Sequence, residues 1–406
     1  MKRRALLVGA FTISLAAVIR LALAPMRILT ADEAYYLCAA RRGPRAWPID
    51  DHPPLLGALL ALADRWAPGP IELRVRLVPI VLQVMTALGV ARLAARLGDD
   101  DASEDRRWLL GVILATWGLL PMAGGLLATP DAPMLAALAW LVALLAEPRV
   151  APRHELVLRA CVLALAALAV AAKATALPFT LVIAAGHGAR RDGPSRGRGI
   201  ALALGAVAAL PVTLTSLHAQ LAHVVGQGPK VAAPYLGPLA AAGVFVVGQA
   251  LLLGPAVVLV VLDVARRRSS DAWSLPPGVA LATGLVLLAA LASALVTGRP
   301  PEPNWTAPAA IAIFAVTAVG IAGATRRRAV AVLGITTAPT LLALAAWSVR
   351  AGVLPGGADP LARLPRVAQT FSAADARVEG PYAGPSWRCV YENECVEIDA
   401  IFSSYR

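Results

Sequence analysis

Long apolar runs separated by short polar gaps fill most of this chain. Stretches of about 18 to 25 residues with few charges recur, and each is long enough to cross roughly 30 Å of hydrocarbon as a helix. Helices placed on these runs fall near residues 5–25, 71–91, 108–127, 132–147, 156–174, 176–188, 199–217, 238–264, 276–297, 306–324 and 328–348, eleven in all. The two that meet near Thr175 are the shortest. The stretch from Pro53 to Trp66 is apolar but too short to span, which suits an interfacial helix lying along the membrane. The pattern predicts an all-α polytopic membrane protein, with a multi-pass module at 1–348 and a short tail at 349–406.

Composition agrees with that pattern. The chain is 58% apolar and 15% charged, with a mean hydropathy of +0.68, far from the composition of a soluble domain. Its first run follows Lys2, Arg3 and Arg4 as a signal peptide would. No small-residue cleavage site precedes the polar segment near Thr30, so the run reads as a retained helix.

A net charge of +12 would suggest nucleic-acid binding in a soluble protein. Here the arginines cluster at alternate gaps: Arg92, Arg96, Arg106 and Arg107; Arg149, Arg153 and Arg159; Arg190, Arg191, Arg196 and Arg198; Arg266 to Arg268; Arg326 to Arg328. This is the positive-inside distribution, and it leaves no role for nucleic acid. With the N-terminus in the cytoplasm every cluster falls inside, and one helix more or fewer would reverse the later ones. The outer face then receives the first loop at 29–70, the turns at 129–133 and 173–175, the loops at 218–238 and 298–305, and the tail. The strong arginine bias suits a GC-rich bacterial genome, and the topology suits an inner membrane.

The four cysteines are Cys38 in the first outer loop, Cys161 within a helix, and Cys389 and Cys395 in the tail, where the last two are spaced to permit a disulfide without requiring one. The tail from Gly356 alternates enough in places to suggest a short hairpin.

The outer segments hold the chemistry. T-A-D-E-A-Y-Y places Asp32 and Glu33 just past the first helix, followed by Tyr35 and Tyr36. These residues serve either as a water boundary with an aromatic belt or as a carboxylate able to take a proton from an attacking hydroxyl. Asp50, Asp51 and His52 precede a double proline. Asp51 and His52 have the donor types for a divalent cation, but a lone histidine beside acids is more often a hydrogen-bonded structural residue, and no cofactor follows from the sequence. Asp131, between Pro130 and Pro133, reads as a first-turn acid or as a second functional carboxylate on the face of Asp32. Lys173 is one of three lysines against 34 arginines and interrupts an apolar run. It either snorkels to the interface or binds a phosphate there. Arg20 and Arg74 are further cations under the same logic.

Taken in order, A-D-E-A-Y-Y, D-H-P-P-L, E-L-R-V-R-L, L-L-A-T-P-D-A-P-M-L, A-A-K-A-T-A-L and E-P-N-W-T-A-P (Glu302 to Pro308) resemble the C-type (GT-C) glycosyltransferase superfamily. The branch they resemble contains the protein O-mannosyltransferases and the lipid A aminoarabinose transferase. Any one motif is weak, and the six together are specific. The resemblance implies a GT-C fold, a polyprenyl-phosphate sugar donor, a glycan, lipid or protein acceptor, and inverting transfer. It makes Asp32 the base with Glu33 beside it, sets Arg74 and Asp131 near the substrate groove, and leaves Glu302, Asn304 and Trp305 in a motif of undefined role. Lys173, Arg74, Arg20 and His52 would meet the donor phosphate, and Tyr35, Tyr36 and Asp51 would line the groove. The family often carries a larger soluble outer domain than the 55 or so residues here, which leaves acceptor recognition open. A transporter of lipid-linked saccharides, or a noncatalytic binder of them, is the competing reading; the acids lie in outer loops rather than at mid-helix, which argues against a transport path.

Overall fold

A computed structural model describes residues 3–26, 29–43, 52–98, 101–148, 150–190, 192–214, 235–254, 275–276, 278–301 and 303–350. Asp50, Asp51, Glu302, Arg149, Arg191, Arg266 to Arg268, Cys389, Cys395 and the suggested tail hairpin lie outside them. All regular structure among the described residues is helical. The α-helices are α1 (Arg3–Leu23), α2 (Ala31–Arg41), α3 (Leu55–Trp66), α4 (Ile71–Arg96), α5 (Asp101–Trp117), α6 (Leu119–Gly124), α7 (Asp131–Leu145), α8 (Pro152–Ala172), α9 (Ala176–Gly188), α10 (Gly193–Ala208), α11 (Pro238–Leu253), α12 (Val279–Thr297), α13 (Ala307–Ala322) and α14 (Arg326–Arg350).

Seven described helical segments are long and apolar enough to cross a membrane: α1, α4, α8, α10 with its extension to Leu214, α12, α13 with the turn before it, and α14. The remaining expected spans form shorter helices. α7, α9 and α11 are apolar helices of 15, 13 and 16 residues, and α5 has 17 residues beginning in a charged turn. The run expected as one span at 108–127 is broken, because Gly118 is extended (φ −63°, ψ 156°) and α6 restarts after it.

α4 is the hub of the bundle and packs on α5 and α7, while α8 packs on α7 and α10. Small residues permit the close approaches, as is usual where helices meet in lipid. A Cβ on Gly89 of α4 would lie 2.8 Å from the backbone of Ala139 in α7, and one on Gly205 of α10 would run into the Leu163 carbonyl oxygen in α8. One core runs through α4, α5, α7 to α10 and α13. A second, separate core holds Leu29, Leu37, Leu56, Leu60, Val75 and Ala128. It fastens α2 and α3 over one end of the bundle.

Polar side chains sort the two ends. At one, arginines and glutamates from successive helices interlock. Glu147 takes Arg92 (2.5 Å) and Arg96 (3.2 Å), and Glu155 takes Arg198 (2.8 Å) and Arg159 (3.2 Å). Arg106 donates to the Ala324 carbonyl between α13 and α14. At the opposite end lie α2, α3, Asp131, Lys173 and Asn304.

Candidate functional site

The acidic pair opens a helix rather than a loop. Thr30 caps α2: its hydroxyl accepts from the Glu33 amide (3.3 Å), and the Glu33 carboxylate accepts from the Thr30 amide (2.8 Å). This reciprocal capping box is written in the sequence as Thr30-x-x-Glu33. It turns the two acids apart, leaving Asp32 exposed in the first turn while Glu33 is fully buried. A helix N-terminus favours negative charge at both positions.

Glu33 is the centre of a closed network. Arg76, itself fully buried, grips it with Nε to Oε1 at 3.0 Å and Nη2 to Oε2 at 2.7 Å. Oε1 also accepts from the Ala128 amide at 3.3 Å, so with the Thr30 amide each oxygen accepts two bonds. Arg76 Nη1 donates to the Ala24 carbonyl at the end of α1 (2.6 Å). Four segments are tied together: the exit of α1, the start of α2, α4, and the loop that leads to Asp131.

A second cluster forms where α7, the α8–α9 turn and the start of α13 converge. Lys173, in the turn after α8, donates to Asp131 Oδ1 at 2.8 Å, and Asn304 donates through Nδ2 to Oδ2 at 3.2 Å. Asn304 Oδ1 is buried and has no partner among the described residues. Trp305, next to it, is 45% exposed.

The remaining sequence candidates disperse. Arg74 points away from Arg76 and clasps the end of α3, donating to the Asp64 carbonyl (2.6 Å) and lying 3.1 Å from the Asp64 carboxylate, which also holds Arg41. Arg20 is 1% exposed. Its Nη2 donates to the Thr116 carbonyl (2.9 Å) and reaches that of Pro121 (3.4 Å), while Gln83 donates to the Ala115 carbonyl (2.7 Å). The Ala115 and Thr116 carbonyls are released where Gly118 breaks the helix, and backbone groups in an apolar interior require partners. Arg20 takes part in that repair through Nη2, while its Nε is buried without a partner among the described residues. His52 lies against Tyr36 (ring centroids 5.6 Å apart), and Tyr36 against Tyr35 (5.4 Å). Asp51 and Glu302 lie outside the described residues. Among those described, no group of three His, Cys, Asp or Glu side chains is arranged to hold a metal ion.

Arg76, which the sequence does not single out, completes the Glu33 network. E-L-R-V-R-L offers two arginines two positions apart, which places them on different sides of α4. Only the packing tells which side faces Glu33.

Neither a protein-family model nor a curated protein sequence matches the chain. Solved structures do. ArnT from Cupriavidus metallidurans bound to undecaprenyl phosphate superposes with a TM-score of 0.55 at 16% identity, covering 98% of this chain and 72% of that one. The same protein in its apo state gives 0.54 at 17% over the same shares. The Archaeoglobus fulgidus oligosaccharyltransferase in its apo form gives 0.52 at 12%, covering 92% and 59%. With the apolar helices, these likenesses make the chain a multi-pass membrane protein with the GT-C fold.

Proposed function

We propose that the chain is a membrane glycosyltransferase that moves a sugar from a polyprenyl-phosphate donor to a nucleophilic acceptor, with inversion at the anomeric carbon. The acceptor oxygen forms its bond to that carbon as the carbon–oxygen bond to phosphate breaks. Asp32 takes the acceptor proton, and the polyprenyl phosphate leaves with the bonding electron pair. The observation that carries this reading is the division of the acidic pair. One carboxylate is locked in the protein and its neighbour is displayed at a helix N-terminus. A general base must reach its proton, and only Asp32 of the pair is exposed to do so.

Glu33 and Arg76 act as positioning residues in this reading. By tying α2 to Ala128, three residues before Asp131, they fix the spacing between the base and the Asp131 cluster. The likeness to ArnT, whose structure was solved with undecaprenyl phosphate, supports a polyprenyl-phosphate carrier. The arginine-rich end is assigned to the cytoplasm on the positive-inside rule, which puts the site on the outer face of a bacterial inner membrane.

The test is transfer of labelled sugar from a panel of polyprenyl-phosphate sugars by the purified protein in liposomes, comparing wild type with Asp32→Asn. Transfer that collapses in the variant supports the enzyme. Binding of donors without transfer by wild type moves the reading to a carrier or binder of lipid-linked saccharides.

A further inference from the structure

The E-P-N-W motif has no role in the scheme above, yet Asn304 carries a distinctive group: a buried amide oxygen with no partner among the described residues. Which end of an amide is oxygen is set by its neighbours. Here the neighbour is Asp131 Oδ2, 3.2 Å from the amide nitrogen. Reversing the amide would set its oxygen against the carboxylate, two acceptors face to face. Asp131 therefore fixes Asn304 with its NH2 group inward, and the orphan is an acceptor.

The neighbouring groups define what it would accept. Lys173 gives one of its three N–H groups to the other oxygen of the same carboxylate, so the ammonium and the amide flank one carboxylate. The cluster offers N–H donors and one fixed acceptor, while Asp131 offsets the lysine charge. A phosphate oxygen would suit the lysine but would be repelled by the amide oxygen and by Asp131. A protonated amine would suit the amide oxygen but not the ammonium. A hydroxyl both donates and accepts, and satisfies both. Trp305, the next residue in the chain, is 45% exposed and carries an apolar indole of the kind a sugar ring can lie on.

We infer that Asn304 is a specificity-determining residue that accepts a hydrogen bond from one hydroxyl of the transferred sugar, with Lys173 donating to that same hydroxyl. This rests on the glycosyltransferase reading and assigns Lys173 to the sugar rather than to the phosphate. A pocket that fixes a hydrogen-bonding group discriminates against a substrate lacking its complement, because the buried acceptor is then left unsatisfied.

The experiment uses the donor that supports transfer in liposomes, together with its monodeoxy analogues, against wild type, Asn304→Ala and Asn304→Leu. Wild type is expected to lose about tenfold in kcat/KM with one particular deoxy donor, the worth of a single hydrogen bond. Both variants should be slower with the parent donor and show a smaller further loss with that same analogue, because only the Lys173 bond to the hydroxyl is left to lose. The inference is overturned if wild type discriminates against no single position, a result independent of how the variants fold. It is also overturned if the variants keep the wild-type pattern of losses. Absence of transfer by wild type from every parent donor would instead defeat the glycosyltransferase reading, and this inference with it.

Discussion

Glu33 and Asp131 each sit at the start of a helix, at the same end of the bundle, and each holds one cation, but they are used differently. Glu33 is fully buried, and its two oxygens accept four hydrogen bonds, two of them from a bidentate arginine. Nothing is left for a ligand. Asp131 accepts one bond at each oxygen, from a lysine with N–H groups to spare and an amide with an unused oxygen. A saturated cluster fixes geometry, whereas one with spare donors and acceptors can receive a substrate. The same contrast separates Glu33 from its neighbour Asp32, which the capping box turns outward.

The strongest way to break this comparison is at Asp32. Asp32→Asn keeps the size of the side chain and removes the basic oxygen. A general base contributes about 10²- to 10⁴-fold, so transfer should fall by that factor. Thermal melting in detergent should hardly move, because the residue is exposed. A variant that retains full transfer would remove Asp32 as the base.

Arg76→Ala probes the saturated side. It strips the cation from a carboxylate with no exposure and leaves Glu33 charged in an apolar setting. Breaking a buried pair by removing one partner costs about 3–5 kcal/mol, so a sharply lowered melting temperature is expected, with activity lost alongside stability. A variant as stable as wild type but inactive would instead mean that Arg76 touches substrate.

How far these roles could be read beforehand follows from the kind of signal each leaves. Apolar runs long enough to span are a property of the chain alone, so α1, α4, α8 and α12 to α14 fell near where the hydrophobic pattern predicts them. The break at Gly118 was missed because the run on either side stays apolar, and the groups that make it tolerable, Arg20 and Gln83, come from α1 and α4. The cations leave the least specific signal. A lone arginine in an apolar helix looks the same whether it reaches a ligand or a stranded carbonyl, and Lys173 and Asp131 meet only because α7 and α8 pack. Thr30-x-x-Glu33 carries the capping-box pattern but lies in a segment whose composition reads as an outer loop, so the packing shows which acid of the pair turns outward.

That box gives a smaller and more local test. Thr30→Ala removes the hydroxyl that accepts from the Glu33 amide at 3.3 Å, while the Glu33 carboxylate keeps Arg76. Loss of such a cap costs about 0.5–2 kcal/mol. Melting should fall by that modest amount, and transfer should fall more than the melting shift alone explains, because α2 carries Asp32. Equal loss of activity in Thr30→Ala and in a variant of matched stability elsewhere would show that the cap does not position the base.

The smallest effect is expected at the opposite end. Arg92 is 37% exposed on its side chain, and its partner Glu147 keeps Arg96 at 3.2 Å when Arg92 is removed. A partly exposed pair of this kind contributes about 0–1 kcal/mol and is screened by salt. Arg92→Ala should therefore lower melting slightly in dilute buffer, lose that difference at high ionic strength, and leave sugar transfer unchanged. A large loss of transfer from this substitution would mean that the arginine-rich end governs the geometry of the Asp32 and Asp131 clusters across the length of α4 and α7, and the two ends would have to be treated as one coupled unit.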